Sequence, residues 1–203
     1  MNEFDNKIQF LNQLLDLDDD SWITLNIKDD IITQKKNISG SSFVAYRSYS
    51  IINGNNEQPK IGDMMNIIWN TYSNESNIKN YDSAISKYDV KNIDNNTRIA
   101  YQINKLPWPL WSRDVHYLQK RIISTFASYL LMYSIDNSDI KNKKCVRAIA
   151  TISAYVFKPC GEKCIMYRIA HIEPGGIIPP FLTDQYIEKT TMMIKYFKQI
   201  YNS

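Results

Sequence analysis

Two stretches decide the fold: Leu106-Pro-Trp-Pro-Leu-Trp-Ser-Arg-Asp-Val-His-Tyr-Leu118 and Glu173-Pro-Gly-Gly-Ile-Ile-Pro-Pro-Phe-Leu182. The first is a loop stiffened by Pro107 and Pro109, whose rings lock φ and remove a backbone donor. It presents Trp108 and Trp111 and then enters a strand over Asp114 to Ser124. The second is a strand end, a glycine turn and a proline-started helix. Gly175 and Gly176 can adopt backbone angles closed to other residues, and Pro179 or Pro180 then pre-sets the first helical turn.

Outward from these anchors, periodicity assigns the remaining elements. Phe4 to Leu17 is amphipathic at helical spacing, and Trp22 to Lys28 alternates as a strand. Asp29-Asp30 is a tight-turn pair leading into a strand over Ile31 to Ile38, and Gly40-Ser-Ser42 turns into another over Phe43 to Ile52. Asn53 to Pro59 is a loop. Lys60 to Asn70 reads as a short helix, Ser73 to Asn80 as a polar stretch, and Tyr81 to Ile93 as a short helix or turn followed by a strand. Arg98 to Lys105 is a strand before the tryptophan loop. Tyr129 to Ile135, Cys145 to Phe157 and Cys164 to Ile172 are three more. Pro180 to Tyr201 is a long helix with Leu182, Tyr186, Met193 and Phe197 at helical spacing. The order predicts an α+β fold with a predominantly antiparallel sheet, because hairpin-length connections dominate. A curved sheet gripping one long helix encloses a hollow. No internal repeat or Pro/Gly-rich linker divides the chain, so a single domain over 1–203 is expected.

Composition narrows the function classes. The 203 residues carry 24 basic and 21 acidic side chains, a net charge of +3. That excess is too small, and too dispersed, to argue for nucleic acid. It is compatible with weak attraction to an anionic membrane surface. Three cysteines, Cys145, Cys160 and Cys164, form no disulfide framework and fit a reducing compartment. The N-terminus lacks the basic and apolar regions of a signal peptide, and no stretch approaches the ~18 apolar residues of a membrane span. A cytoplasmic protein with peripheral membrane contact is expected.

The two anchor stretches together resemble the START lipid-transfer domains of the helix-grip class, most closely the phosphatidylcholine-transfer-protein subgroup. Pro107-Trp-Pro-Leu-Trp-Ser-Arg-Asp114 matches the family's loop pattern, and Pro174-Gly-Gly-Ile-Ile-Pro179 its entrance to the final helix. Asn80-Tyr81-Asp82 resembles the Trp-Asp that closes the family's short second helices. The element order agrees from Phe4 to Ser203. The resemblance implies a lipid held in a tunnel under a lid formed by the last helix, Pro180 to Tyr201, and the loop Lys105 to Arg113. It further implies transfer of a phospholipid or related lipid between membranes by a monomer, with no cofactor. The alternative is a sensor or presenter that binds lipid without bulk transfer.

The same resemblance assigns residues. With the family register, Gln102, Asn104, Val115, Tyr117, Gln119, Thr151, Ser153 and Tyr155 face the cavity, and a one-residue slip would invert the whole set. Met193 and Phe197, with Met192, offer adaptable apolar surface on the lid, or else ordinary helix packing. Gly175, Gly176 and Pro179 form the lid hinge, or else a plain strand-to-helix turn. Trp108 and Trp111 are membrane-docking candidates, because indole rings favour the headgroup region; the alternative is packing under the lid helix. Arg113-Asp114 reads as a structural charge pair or cap at the loop base. Departures from the subgroup concern the headgroup. The positions of its choline cage fall on Gln102, Val115 and Thr151, none of them aromatic, and a cage needs aromatic faces. Its phosphate-pairing Arg falls on Ile78, while its acid is kept as Asp82. The steroid carriers' internal Arg falls on Gln119. A different phospholipid headgroup, or relaxed selectivity, is expected.

Enzyme chemistry finds little support. His116 and His171 belong to no triad pattern, and no Gly-x-Ser-x-Gly elbow exists. Cys160-Gly-Glu-Lys-Cys164 has loose metal spacing with no second pair of ligands, so it reads as a hairpin turn bearing two thiols. No phosphate-cradling glycine loop is present. The expectation is a non-enzymatic binding protein without a metal.

Overall fold

The computed structural model describes residues 2–53, 60–136, 142, 144–176 and 178–201. The chain begins with α1 (Glu3–Leu15), started by a capping box in which Asn2 and Asp5 satisfy each other's backbone N–H. β1 (Ile23–Lys28), β2 (Ile31–Asn37) and β3 (Val44–Ile52) follow as a meander. Asp29 and Asp30 join the first two with φ of 55° and 56°, the twist that a two-residue hairpin turn needs. Two short helices come next, α2 (Ile61–Thr71) and α3 (Glu75–Tyr81). The second half holds β4 (Ile85–Asn92), β5 (Thr97–Asn104), β6 (Ser112–Ile123), β7 (Ser128–Ser134), β8 (Cys145–Arg147), β9 (Ile149–Cys160) and β10 (Lys163–Glu173). It ends with α4 (Pro180–Tyr201).

All ten strands share one sheet in the order β1-β2-β3-β10-β9-β7-β6-β5-β4, with β8 pairing beside β6. Every pairing is antiparallel except β6 with β8. The chain's two halves therefore meet where β3 pairs with β10. Alternation sorts side chains to the two faces. On β9 and β10, Ile152, Ala154, Val156, Tyr167 and Ile169 pack with Leu11, Leu14 and Leu15 of α1. From the same strands Tyr155, Phe157, Cys164 and Met166 face the other way, packing with Met64, Met65 and Ile68 of α2 and Met193, Ile194 and Phe197 of α4. The sheet is thus a wall between α1 on one side and α2 and α4 on the other.

The structure differs from the sequence reading at three places. The polar stretch Ser73 to Asn80 contains most of α3, capped by the Asn74 side chain and anchored by the buried Ile78 and the partly buried Tyr81. The run Cys145 to Phe157 is two strands. It breaks at Ala148, whose N–H donates to Asp114 O while β8 turns to run parallel to β6. The expected run of about six strands in this half is seven.

Candidate functional site

A cavity of about 620 Å3 lies between the sheet and α4. Its walls are Gln102 and Asn104 of β5, Arg113, Val115 and Tyr117 of β6, Ser153 and Tyr155 of β9, and Arg168 and Ile172 of β10. Tyr72 after α2, Tyr81 of α3 and the Asp82-Ser83-Ala84 turn line another side. Leu182, Tyr186, Lys189 and Thr190 of α4 form its cover, and Lys105, Leu106 and Pro107 bound it at the loop. The volume falls within the ~300–1,000 Å3 typical of small-molecule sites.

Most of the expected lining residues are there: Asp82, Gln102, Asn104, Val115, Tyr117, Ser153 and Tyr155. Four are elsewhere. Gln119 shares the face of Tyr117 but lies further along β6. There it is fully buried, accepts from Arg98 Nε and donates to Tyr88 Oη at 3.1 Å. Arg98 in turn donates to Trp69 O and stacks on the Trp69 ring at 3.6 Å, so α2 seals this end. Thr151 is displaced by a bulge. His171 pairs with Ile152 and Ile172 with Ala150, leaving Thr151 as the extra residue, and parity changes there. Met193 and Phe197 belong to the solid part of the core. The Phe197 ring packs edge-on against Phe157 at 5.3 Å, and Met193 is buried beside it. The half of α4 near Tyr186 covers the cavity, whereas the half near Phe197 holds the helix down.

The entrance to α4 is built around the glycines. Gly175 and Gly176 have φ of 67° and 62°. A Cβ on Gly175 would lie 2.6 Å from Arg147 O and 2.9 Å from Val146 Cγ1, so this position needs glycine for space as well as for angle. Pro179 O accepts from Leu182 N at 3.0 Å, within the first turn of the helix that starts at Pro180. Arg113 ties this entrance to the tryptophan loop. Its guanidinium donates to Trp111 O on one side and to Pro174 O and Gly175 O, at 2.6 and 3.0 Å, on the other. Asp114 pairs instead with Arg147, both oxygens accepting at 3.0 Å, and takes the Tyr101 hydroxyl at 3.1 Å. The adjacent Arg113 and Asp114 therefore pin the loop base through separate partners, not through each other. Trp108 is 92% exposed and Trp111 60%, so neither packs under the lid helix.

The polar groups of the cavity divide into two sets. Tyr117 Oη donates to Gln102 Oε1, and Gln102 Nε2 donates to Asn104 Oδ1, both at 2.8 Å. Lys189 of the lid grips both oxygens of Asp82, at 2.9 and 3.0 Å. Of the second set, the sequence reading placed only Tyr155 in the cavity. Arg168 is only 9% exposed, stacks on the ring of its cross-strand partner Tyr155 at 4.7 Å, and anchors Nη1 on Ile169 O. Around Tyr155, its hydroxyl lies 3.1 Å from that of Tyr72 and 3.5 Å from that of Tyr81. The hydroxyl of Tyr186 is buried with no hydrogen-bond partner among the described residues. Burial pushes the Tyr72 and Tyr81 phenols well above their ordinary range and that of Tyr186 up to about 12, so all three are neutral donors near pH 7. One signal could have found Arg168: it is the lone charge inside Cys164-Ile-Met-Tyr-Arg-Ile-Ala170, on the parity of the buried Cys164 and Met166.

The comparisons agree with this geometry. The START domain family profile matches residues 6–199. START domain-containing protein 10 of Homo sapiens and of Mus musculus is 28% identical over 111 residues, which is 53% of this chain and 38% of each relative. The match thus spans well under half of the curated relatives' length. Human STARD10 superposes with a TM-score of 0.73 at 15% identity, covering 97% of this chain and 81% of that one. Human StAR-related lipid transfer protein 5 does so with 0.72 at 11%, covering 96% and 92%. The lipid transfer and protein localization domain of human StarD13 gives 0.68 at 16%, covering 99% and 98%. With its helix-grip architecture and a family match over nearly its whole length, this chain belongs to the START domain family.

Proposed function

We propose that this protein encloses a phospholipid or related lipid in the cavity between its sheet and α4 and carries it between membranes. The observation supporting this most is the cavity itself, apolar along Ile85, Val115, Met132 and Leu182, with one polar set on β5, β6 and the Asp82 turn and another on α3, β9 and β10. Two acyl chains hold ~30 methylenes at ~0.8 kcal/mol each, so an unaided lipid leaving a bilayer faces a cost of order 20 kcal/mol. A dry pocket offsets that cost only if it opens against a membrane. The exposed Trp108 and Trp111 beside the lid entrance supply the contact, and the shared Arg113 anchor joins loop to hinge. No helix among the described residues is long and apolar enough to cross a membrane, so contact by loop side chains is the mode this reading uses. The protein acts as a single monomeric unit without catalysis. Vesicle-to-vesicle transfer of labelled phospholipid, with mass spectrometry of whatever co-purifies, tests the reading. Bound lipid with transfer supports it. Bound lipid without transfer makes the protein a sensor or presenter, and a protein that neither holds nor moves lipid overturns the reading.

A further inference from the structure

Building on that reading, we propose that Arg168 and the tyrosine hydroxyls around it form the seat for an oxyanion, the phosphate or carboxylate of the enclosed lipid. The charges lining the cavity are Lys105, Arg113, Arg168 and Lys189 against Asp82 alone, among the described residues. Asp82 is already taken by Lys189. Arg113 spends its guanidinium on three backbone carbonyls, and Lys105 is exposed.

Arg168 is different. It is buried and, among the described residues, has no carboxylate within ion-pair distance and forms hydrogen bonds through Nη1 only. Its Nε and Nη2 groups remain for a ligand. A buried cation without a counter-charge is costly unless something else supplies one. The Tyr155 ring face supplies part of it.

The phenols complete the seat. Tyr72, Tyr81 and Tyr155 bring three O–H donors to two mutual contacts, so one donor is left over. Tyr186, from the lid, adds a buried hydroxyl with no partner. Guanidinium and neutral hydroxyls are the donor set that a phosphate or carboxylate accepts from. They come from β9, β10, α3, α4 and the end of α2, so only the closed lid completes the set.

The test measures retention by the purified protein of phosphatidic acid, diacylglycerol with the same acyl chains, and oleate, each offered in phosphatidylcholine vesicles. Wild-type protein is expected to retain phosphatidic acid over diacylglycerol by about tenfold or more. Arg168→Gln brings the two within about threefold, and Arg168→Lys restores part of the preference. Tyr186→Phe, which removes only the unpartnered hydroxyl, lowers phosphatidic acid retention severalfold; it keeps the test decisive should the arginine variants fail to fold. Preference for oleate over both assigns the seat to a fatty-acid carboxylate, and for phosphatidic acid to a phosphate ester. A wild-type protein indifferent to the charged group, or a preference that survives both Arg168→Gln and Tyr186→Phe, overturns the proposal. Retention of none of the lipids overturns the carrier reading with it.

Discussion

At the scale of single residues, the positions with one job are the easiest to test. Gly175→Ala must place a Cβ against Arg147 O at a φ of 67°. A residue forced into that region costs about 1–3 kcal/mol, and the contact adds to it, so thermal melting should show a clear loss of stability. Gly40, at φ 77° with open space around it, is the control, and its alanine variant should lose less. Arg113→Gln removes a buried cation that joins the tryptophan loop to the turn before α4. Hydrogen bonds to charged groups are worth about 1.5–3 kcal/mol, and a comparable drop in unfolding free energy by denaturant titration is expected. Residue identity in the site was only partly legible from sequence. Gln102, Asn104, Val115 and Tyr117 could be placed because β5 and β6 alternate without interruption. Thr151 could not, because a bulge leaves no mark on the hydrophobic pattern. Arg168 was passed over because strand reading rewards apolar residues, whereas a charge in the middle of a buried strand is the informative exception.

At the scale of elements, α4 is two devices in one helix. Its far half is fixed by Phe197, Met193 and Ile194, and Phe197→Ala should cost about 3–5 kcal/mol, read as a lowered unfolding midpoint. Its near half is held by weaker bonds, Lys189 to Asp82 and Thr190 Oγ1 to Ser48 Oγ at 2.9 Å. Ion pairs as exposed as Lys189 with Asp82 contribute only about 0–1 kcal/mol. Asp82→Asn should therefore leave the melting temperature within a few degrees while quickening lipid exchange. The tryptophan loop is the complementary element. Trp108→Ala with Trp111→Ala should slow transfer severalfold with bound lipid unchanged, and an unchanged rate would remove its docking role. The elements themselves were largely readable, since α1, α4 and the long strands carry strong periods and proline or glycine boundaries. α3 was not, because a seven-residue helix with one buried side chain has almost no apolar stripe to read.

At the scale of the whole molecule, the sheet separates a face packed on α1 from a face that carries the cavity, and neither His residue is among those lining the cavity; His171 packs edge-on against Phe10 of α1. Burial holds the His116 and His171 imidazoles below their ordinary range. The unfolded chain, with His near pKa 6.5, then binds more protons through that window, so stability is complete above about pH 6.5 and declines as pH falls. The double variant His116→Gln, His171→Gln should flatten this acid slope between pH 7 and 5, read from melting temperatures. The fold as a whole was legible because two short motifs fix the loop before β6 and the entrance to α4, and the hairpin-length links between strands imply an antiparallel sheet. The ligand was less so: the choline-cage positions Gln102, Val115 and Thr151 and the phosphate-pairing position Ile78 say what is missing, while Arg168, the cation proposed to meet the phosphate, comes from another strand. The most direct measurement is native mass spectrometry of the purified protein followed by transfer of the co-purified lipid between vesicles. One lipid per chain that moves at a rate rising with protein concentration is the expected result. An empty protein that moves no lipid would contradict the account.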